Sequence, residues 1–216
     1  MLDEKLYGLK LKREKRKMQL GRMLPEVIFK TRVRDENMFG DNPYCWKDMT
    51  TSDYFGEGRH ILFSLPGAFT PTCDTYQLPN FEKLAPKFKE MGIGEIYCMS
   101  VNDAFVMNSW AKTQDLKYVK VIPDGTGEFT RAMGMLVNKP KQGFGLRSWR
   151  YAAIINRGMI ESWFEEPGIN NESNDDDPYI ETTPESILDF ISYEDWVPES
   201  KRIVPDSVNP HKMLQE

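Results

Sequence analysis

The stretch with the most chemistry in this chain is Pro66-Gly67-Ala68-Phe69-Thr70-Pro71-Thr72-Cys73, directly after the apolar run Ile61-Leu62-Phe63-Ser64-Leu65. That order places a cysteine where a strand hands over to a helix. A free thiol titrates near about 8.5, and the orphan N–H groups and dipole of a helix N-terminus favour its anion, as does a neighbouring arginine. The thiolate is the nucleophilic form, so Cys73 is expected to be reactive. Most free cysteines are inert core residues, but Pro, Gly and Thr crowd a turn around this one rather than a core strand.

The elements that must hold this loop follow from periodicity. Residues 27–34 alternate between apolar and basic, as a half-buried strand or hairpin arm does, and turn residues occupy 37–43. Thr50-Thr51-Ser52-Asp53 suits the cap of a short helical turn, and 60–65 reads as a central strand leading into the reactive loop. Beyond Cys73, Leu78, Phe81, Leu84, Ala85 and Phe88 recur at helical spacing up to Gly92, with Pro79 and Pro86 expected to bend or confine that helix. Residues 95–101 and 119–122 are further strands, separated by a helix that Asp103 caps and that carries Phe105, Val106 and Trp110. Asp124-Gly125-Thr126-Gly127-Glu128 is a turn into a short helix with Phe129 and Met133; its glycines match neither a P-loop nor a dinucleotide fingerprint. Residues 151–156 and 159–164 flank Arg157-Gly158 as a hairpin, 170–177 form an acidic, Asn-rich loop, and Thr183-Pro184-Glu185-Ser186 opens a last helix through Ile191.

Alternating strands and helices, then a hairpin and a closing helix, make an α/β chain: a central mixed β-sheet flanked by helices on both faces. The order resembles a thioredoxin-like fold, in which a reactive sulfur belongs at the end of the first central strand. The expected division is a basic N-terminal extension over 1–22, a single domain over 23–192 and a tail over 193–216.

Composition bounds the function. The 216 residues carry 28 Lys+Arg and 33 Asp+Glu, a net charge of −5 that is too mild and mixed to draw nucleic acid or a membrane. No apolar run approaches the roughly 18–20 residues of a membrane span, and the N-terminus has no apolar signal core, so a cytoplasmic, reduced location is expected. Three cysteines, Cys45, Cys73 and Cys98, imply no disulfide framework, and His60 and His211 fit no metal spacing, so no cofactor metal is expected. Cys98 lies in an apolar strand and reads as a packing residue, with a redox role as the alternative.

The loop from Pro66 to Cys73 resembles the active-site loop of peroxiredoxins, Pro-x-x-x-Thr/Ser-x-x-Cys, and of the peroxiredoxin-5 subfamily in particular. Ser100-Val101-Asn102-Asp103, Phe105-Val106-Met107 with Trp110, Asp124-Gly125 with Gly127-Glu128-Phe129-Thr130, and Gly145-Leu146-Arg147-Ser148-Trp149-Arg150-Tyr151 are similar to that subfamily in the same order. The resemblance runs from about Leu24 to Ile191. It implies a thiol-dependent peroxidase acting on hydrogen peroxide and alkyl hydroperoxides. Cys73 would be the peroxidatic cysteine, Thr70 the active-site hydroxyl, Pro66 the loop proline and Arg150 the active-site arginine, with Arg147 as the alternative.

Some peroxiredoxin-5-like enzymes keep a resolving cysteine between the last hairpin and the last helix; residues 165–183 contain none. The resemblance is strongest to bacterial relatives fused to glutaredoxin, through the motifs around Phe144 to Tyr151 and Glu166-Pro167-Gly168, yet no Cys-x-x-Cys module follows in this chain. It therefore implies a one-cysteine mechanism needing no bound cofactor, with glutathione as external reductant and glutaredoxin arriving on another chain. A peroxide sensor of low turnover, or recycling by thioredoxin through an intersubunit disulfide of Cys45 or Cys98, are the competing expectations. A homodimer is also implied, with Phe144, Trp149, Trp163 and Phe164 as aromatic surface for it or, equally, as core.

Overall fold

The computed structural model describes residues 19–40, 43–174 and 177–196. Its centre is a five-stranded mixed sheet. Strands β3 (Arg59–Ser64), β4 (Ile96–Ser100) and β5 (Val119–Pro123) are parallel, while β8 (Tyr151–Asn156) runs antiparallel to β3 and β9 (Met159–Glu165) antiparallel to β8, giving the order β5-β4-β3-β8-β9. The parallel pairs need crossovers, which α2 (Leu78–Glu90) supplies between β3 and β4 and α3 (Ala104–Thr113) between β4 and β5.

Both sheet faces are covered, so the central strands β3, β4 and β8 are buried nearly throughout rather than alternating. On one face Ile61, Phe63, Cys98 and Ile154 pack against Phe81 and Phe88 of α2, Trp110 of α3, and Ile187 and Ile191 of α5 (Pro184–Trp196). Phe63 and Phe81 stack with ring centroids 3.9 Å apart. On the other face Leu62, Tyr97, Met99 and Ala153 meet Phe55 of α1 (Thr51–Phe55), Phe129 of α4 (Glu128–Ala132) and Phe29 of β1 (Ile28–Arg34). Thr50 and Asp53 form a reciprocal capping box on α1, and Asp103 Oδ1 accepts from the amides of Phe105 and Val106 to cap α3. At the tip of the β8–β9 hairpin Arg157 and Gly158 both have positive φ, 50° and 78°, the geometry that matches the twist of the flanking strands. The last helix extends past Ile191 to Trp196.

Two small hairpins complete the fold. Strand β1 pairs antiparallel with β2 (Tyr44–Thr50), and β6 (Leu136–Lys139) with β7 (Gly145–Ser148). The expected basic extension lies outside the described residues up to 18; the described end of it is held to the sheet, with the Gly21 amide donating to Ile160 O at 2.9 Å and the Ile160 amide to Arg22 O at 2.9 Å. Residues 197–216 also lie outside the described residues.

Trp149 and Trp163, candidates for an aromatic surface, are core residues at 2 % exposure each. Their indole N–H groups find partners inside, Trp149 Nε1 on Glu166 O at 2.8 Å and Trp163 Nε1 on Glu165 Oε2 at 3.2 Å, which lets both rings be buried. Among the described residues no helix is long and apolar enough to cross a membrane.

Candidate active site

Strand β3 ends at Ser64 and the chain turns through the buried Pro66 and Gly67 into a helix that starts at Pro71. Proline is well placed there, since its missing N–H would have had no partner in the first turn. The first helical bond back is from the Asp74 amide to Thr70 O at 2.8 Å. The amides of Thr72 and Cys73 are thus among the donors that a helix N-terminus leaves without an intrahelical partner.

Cys73 opens a π turn, Cys73–Gln77, in which the Leu78 amide donates to Cys73 O. The next donor in that pattern would be the nitrogen of Pro79, which carries no hydrogen. The Asp74 carbonyl that it leaves is taken instead by Gln114 Nε2 of the α3 C-terminus, at 3.3 Å. Helix α3 holds the reactive turn through the side chain as well: Trp110 Nε1 and Gln114 Nε2 both donate to Asp74 Oδ1, at 2.6 and 2.8 Å.

Phe69 has φ 62°, left-handed backbone that costs a non-glycine residue about 1–2 kcal/mol. The loop is held in that shape from several sides. The Phe69 ring lies 6.3 Å from that of Trp110, the Ala68 amide donates to Asn102 Oδ1 at 3.0 Å, and the Thr70 hydroxyl donates to Gly67 O at 2.8 Å.

Register brings the arginine to the sulfur. Ser64 pairs with Tyr151 across β3 and β8, so the residue before Tyr151 lies beside the residues after Ser64. Arg150, 2 % exposed, places Nη1 3.4 Å from Cys73 Sγ. The same nitrogen donates to Gln77 Oε1, Nε donates to Pro178 O at 3.0 Å, and Nη2 pairs with Asp177 Oδ1 at 2.5 Å. The guanidinium also lies 5.6 Å from the centre of the Tyr179 ring. Burial acts to lower the Arg150 pKa, but the charges of Cys73 and Asp177 outweigh it and hold the group above its ordinary value. Arg147, the alternative, is committed elsewhere: its Nη1 donates to Val101 O at 2.8 Å.

Of the sequence-derived residues, Arg150 reaches the Cys73 sulfur, while Pro66 and Thr70 line a cleft along the loop that ends at Cys73. Sequence reasoning missed Gln77, Asp74 and Asp177 and gave Asn102, part of the Ser100–Asp103 motif, no role of its own; the roles of all four depend on contacts distant in the chain. The segment around Asp177 is fastened by Glu166, whose Oε1 accepts from the amides of Ile180 and Thr182 and from the Thr182 hydroxyl, each at 2.9 Å.

Cys73 itself is fully buried, and a cleft of about 340 Å³ reaches its loop, lined by Pro66, Thr70, Pro71, Thr72, Lys139, Gln142, Phe144 and Asp177. Cys98, also fully buried, sits in β4; burial, reinforced by the Cys73 charge, pushes its thiol well above the ordinary value despite the opposing pull of Arg150. Cys45 is partly exposed on β2. Among the described residues no group of His, Cys, Asp and Glu is arranged to hold a metal ion.

Comparison with known proteins agrees with this geometry. The Redoxin family profile matches residues 46–179. A peroxiredoxin of Rhizobium etli is 61 % identical over 171 residues, covering 79 % of this chain and 95 % of its own. The hybrid peroxiredoxin hyPrx5 of Haemophilus influenzae is 43 % identical over 180 residues, covering 83 % and 69 %. Among solved structures, the Plasmodium falciparum antioxidant protein, a 1-Cys peroxiredoxin, superposes with a TM-score of 0.74 at 34 % identity, covering 80 % of this chain and 99 % of its own. With a buried cysteine at a helix start, an arginine on its sulfur and relatives this similar over most of its length, the chain belongs to the peroxiredoxin family, thiol-dependent peroxidases built on a thioredoxin-like fold.

Proposed function

We propose that this peroxidase works by a one-cysteine mechanism on hydrogen peroxide and small alkyl hydroperoxides, with glutathione as reductant and glutaredoxin as its partner on another chain. The observation that carries the catalytic part is the approach of Arg150 Nη1 to Cys73 Sγ, 3.4 Å, inside a site where Arg150 is held by three further acceptors.

The Cys73 thiolate attacks one peroxide oxygen; an S–O bond forms, the O–O bond breaks, and the electron pair leaves on the other oxygen, which takes a proton to become water or an alcohol. Arg150 and the Cys73 amide donate to the peroxide oxygens, where negative charge develops. Thr70, its own proton directed to Gly67 O, offers lone pairs that accept the peroxide O–H. Pro66 walls the cleft and keeps bulk water from the sulfur.

Glutathione thiolate then attacks the sulfenic sulfur, expelling hydroxide as water, and a second thiol releases Cys73 from the mixed disulfide. Two findings support small-thiol recycling over a protein disulfide: residues 165–183 hold no cysteine, and Cys98 is locked inside the sheet. The description of the Plasmodium falciparum relative as a 1-Cys enzyme agrees. A homodimer and a reduced, cytoplasmic location belong to the same proposal; the exposed Phe69 and Tyr76 beside the site favour a contact there.

Peroxide consumption is measured with glutathione alone, with glutaredoxin added, and with thioredoxin and its reductase instead. Turnover that needs glutathione or glutaredoxin, and is lost in Cys73→Ser with the fold intact, is the expected result. Turnover with thioredoxin alone refutes the recycling route, and retained turnover in Cys73→Ser refutes the nucleophile.

A further inference from the structure

Glu166 is the first residue after β9. Tyr151 pairs with Glu165 where the β8–β9 ladder ends, so Glu166 stands opposite Arg150. The two backbones are joined there: the Glu166 amide donates to Arg150 O at 3.2 Å, and Trp149 Nε1 donates to Glu166 O at 2.8 Å. The Glu166 side chain is fully buried. Glutamates are almost never enclosed to that extent, because a carboxylate is costly to take out of water. Only one of its oxygens is served. Oε1 accepts from the Ile180 amide, the Thr182 amide and the Thr182 hydroxyl, while Oε2 has no hydrogen-bond partner among the described residues. Stability alone does not account for a carboxylate here, since an apolar side chain of similar volume avoids the desolvation cost.

What Oε1 holds does account for it. Among the described residues no strand or helix forms between β9 and α5, so segment 177–182 takes its position from side-chain bonds. That segment supplies three of the groups around the Arg150 guanidinium: Pro178 O accepts from Nε at 3.0 Å, Asp177 Oδ1 pairs with Nη2 at 2.5 Å, and the centre of the Tyr179 ring lies 5.6 Å away. Asp177 has φ 50°, a left-handed conformation that a non-glycine residue keeps only where its surroundings impose it. The contacts form a closed circuit, from the Arg150 backbone to the Glu166 backbone, from the Glu166 carboxylate to residues 180 and 182, and from residues 177–179 back to the Arg150 side chain. A guanidinium is planar, so bonds at Nε and Nη2 fix its plane and leave Nη1 directed at Gln77 Oε1 and Cys73 Sγ.

We propose that Glu166 is a positioning residue for the peroxidase reaction: its carboxylate latches segment 177–182, and the latched segment aims Arg150 at the Cys73 sulfur. This inference rests on the role given to Arg150 above and names the group that sets its geometry. Glu166 is not among the partners of the guanidinium and touches no reacting atom. It acts through the segment, and a misplacement of about 1 Å at a reacting centre can cost about 100-fold in rate.

Second-order rate constants with hydrogen peroxide and with iodoacetamide are measured on the reduced parent, Glu166→Leu, Glu166→Gln and Thr182→Val, each also in the Arg150→Lys background, with circular dichroism to confirm the fold. Glu166→Leu removes the acceptor and should slow the peroxide reaction at least about tenfold, the size of one hydrogen bond to a charged group, and alkylation less. Glu166→Gln keeps an acceptor oxygen and should stay within about threefold of the parent. Thr182→Val deletes one of the three bonds, should fall between the two, and serves where Glu166→Leu does not fold. In the Arg150→Lys background each change should cost less than about twofold, because no fork is left to aim.

A folded Glu166→Leu or Thr182→Val protein that reacts with peroxide at the parent rate overturns the proposal. So does a loss in Glu166→Gln as large as in Glu166→Leu, an equal slowing of alkylation, or the full loss repeated in the Arg150→Lys background. If Arg150→Lys alone leaves the peroxide reaction unchanged, the role given to Arg150 fails and the latch with it; if Arg150→Lys is slow and Glu166→Leu is not, the latch alone fails.

Discussion

Replacing Arg150 with lysine keeps one positive charge and removes the fork. The native guanidinium donates to Cys73 Sγ, Gln77 Oε1, Pro178 O and Asp177 Oδ1 from three nitrogens. A single ammonium on a flexible stem cannot reach all four. Asp177, with its side chain 43 % exposed, is the acceptor that water can satisfy after the change; the buried Gln77 and Cys73 are not. A hydrogen bond to a charged group is worth about 1.5–3 kcal/mol net, and losing a preorganised donor to a developing oxyanion costs about 3–4 kcal/mol. The loss at the transition state is therefore about 2–4 kcal/mol, a fall of about 30- to 1,000-fold in the second-order rate constant with hydrogen peroxide. Stopped-flow tryptophan fluorescence of the reduced protein measures it, and circular dichroism confirms the fold. Alkylation by iodoacetamide, which has no oxyanion leaving group of this kind, should slow less than the peroxide reaction. A folded Arg150→Lys protein that reacts with peroxide within about threefold of the parent would refute the role given to the fork.

Three further outcomes follow from the packing and electrostatics. Phe81→Ala removes a fully buried ring stacked on Phe63 and should lower unfolding stability by about 3–5 kcal/mol in urea titration, with peroxide chemistry retained where the protein remains folded. Trp110→Phe deletes the bond to Asp74 Oδ1 and should cost about 1–3 kcal/mol while loosening the reactive turn, read as a several-fold slower peroxide reaction. Asp124 is the pH-sensitive case: burial raises its pKa against the opposing hydrogen bonds from Thr130, Phe129 and Glu128, so the folded state holds the proton more tightly than the unfolded chain. Its contribution to stability is present below the unfolded carboxyl value and is lost as pH rises through the raised one. Asp124→Asn should flatten that slope in denaturation curves measured across the acidic range.

The central strands, the reactive loop and the caps at Thr50 and Asp103 were legible because each is written locally, in a short apolar run, a turn sequence or a capping residue. Strands β2, β6 and β7 were not. Each pairs only within a two-stranded sheet, and β2 has no buried residue, so no buried face imposes a pattern on its sequence. The π turn was also missed, although Pro79 hinted at it by removing a donor from the turn after Cys73. Gln77 and Asp177 could not be read at all: a glutamine in a helix and an aspartate in an acidic loop are ordinary until the Ser64–Tyr151 register sets Arg150 between them. Trp149 and Trp163 show the limit of composition, because an aromatic residue is as easily core as surface until a partner for its indole N–H is identified.

The complete burial of Cys73 bears on kinetics as well as on protection. The cleft along the Cys73 loop has room for a small molecule, whereas another protein's thiol meets a sulfur at 0 % exposure and would reach it only with the first helical turn unwound. Unwinding is a first-order event that belongs to this chain alone. Recycling by any protein reductant would then saturate at one common ceiling, set by the opening rate of the turn and not by the reductant's affinity or concentration, while a small thiol escapes that ceiling.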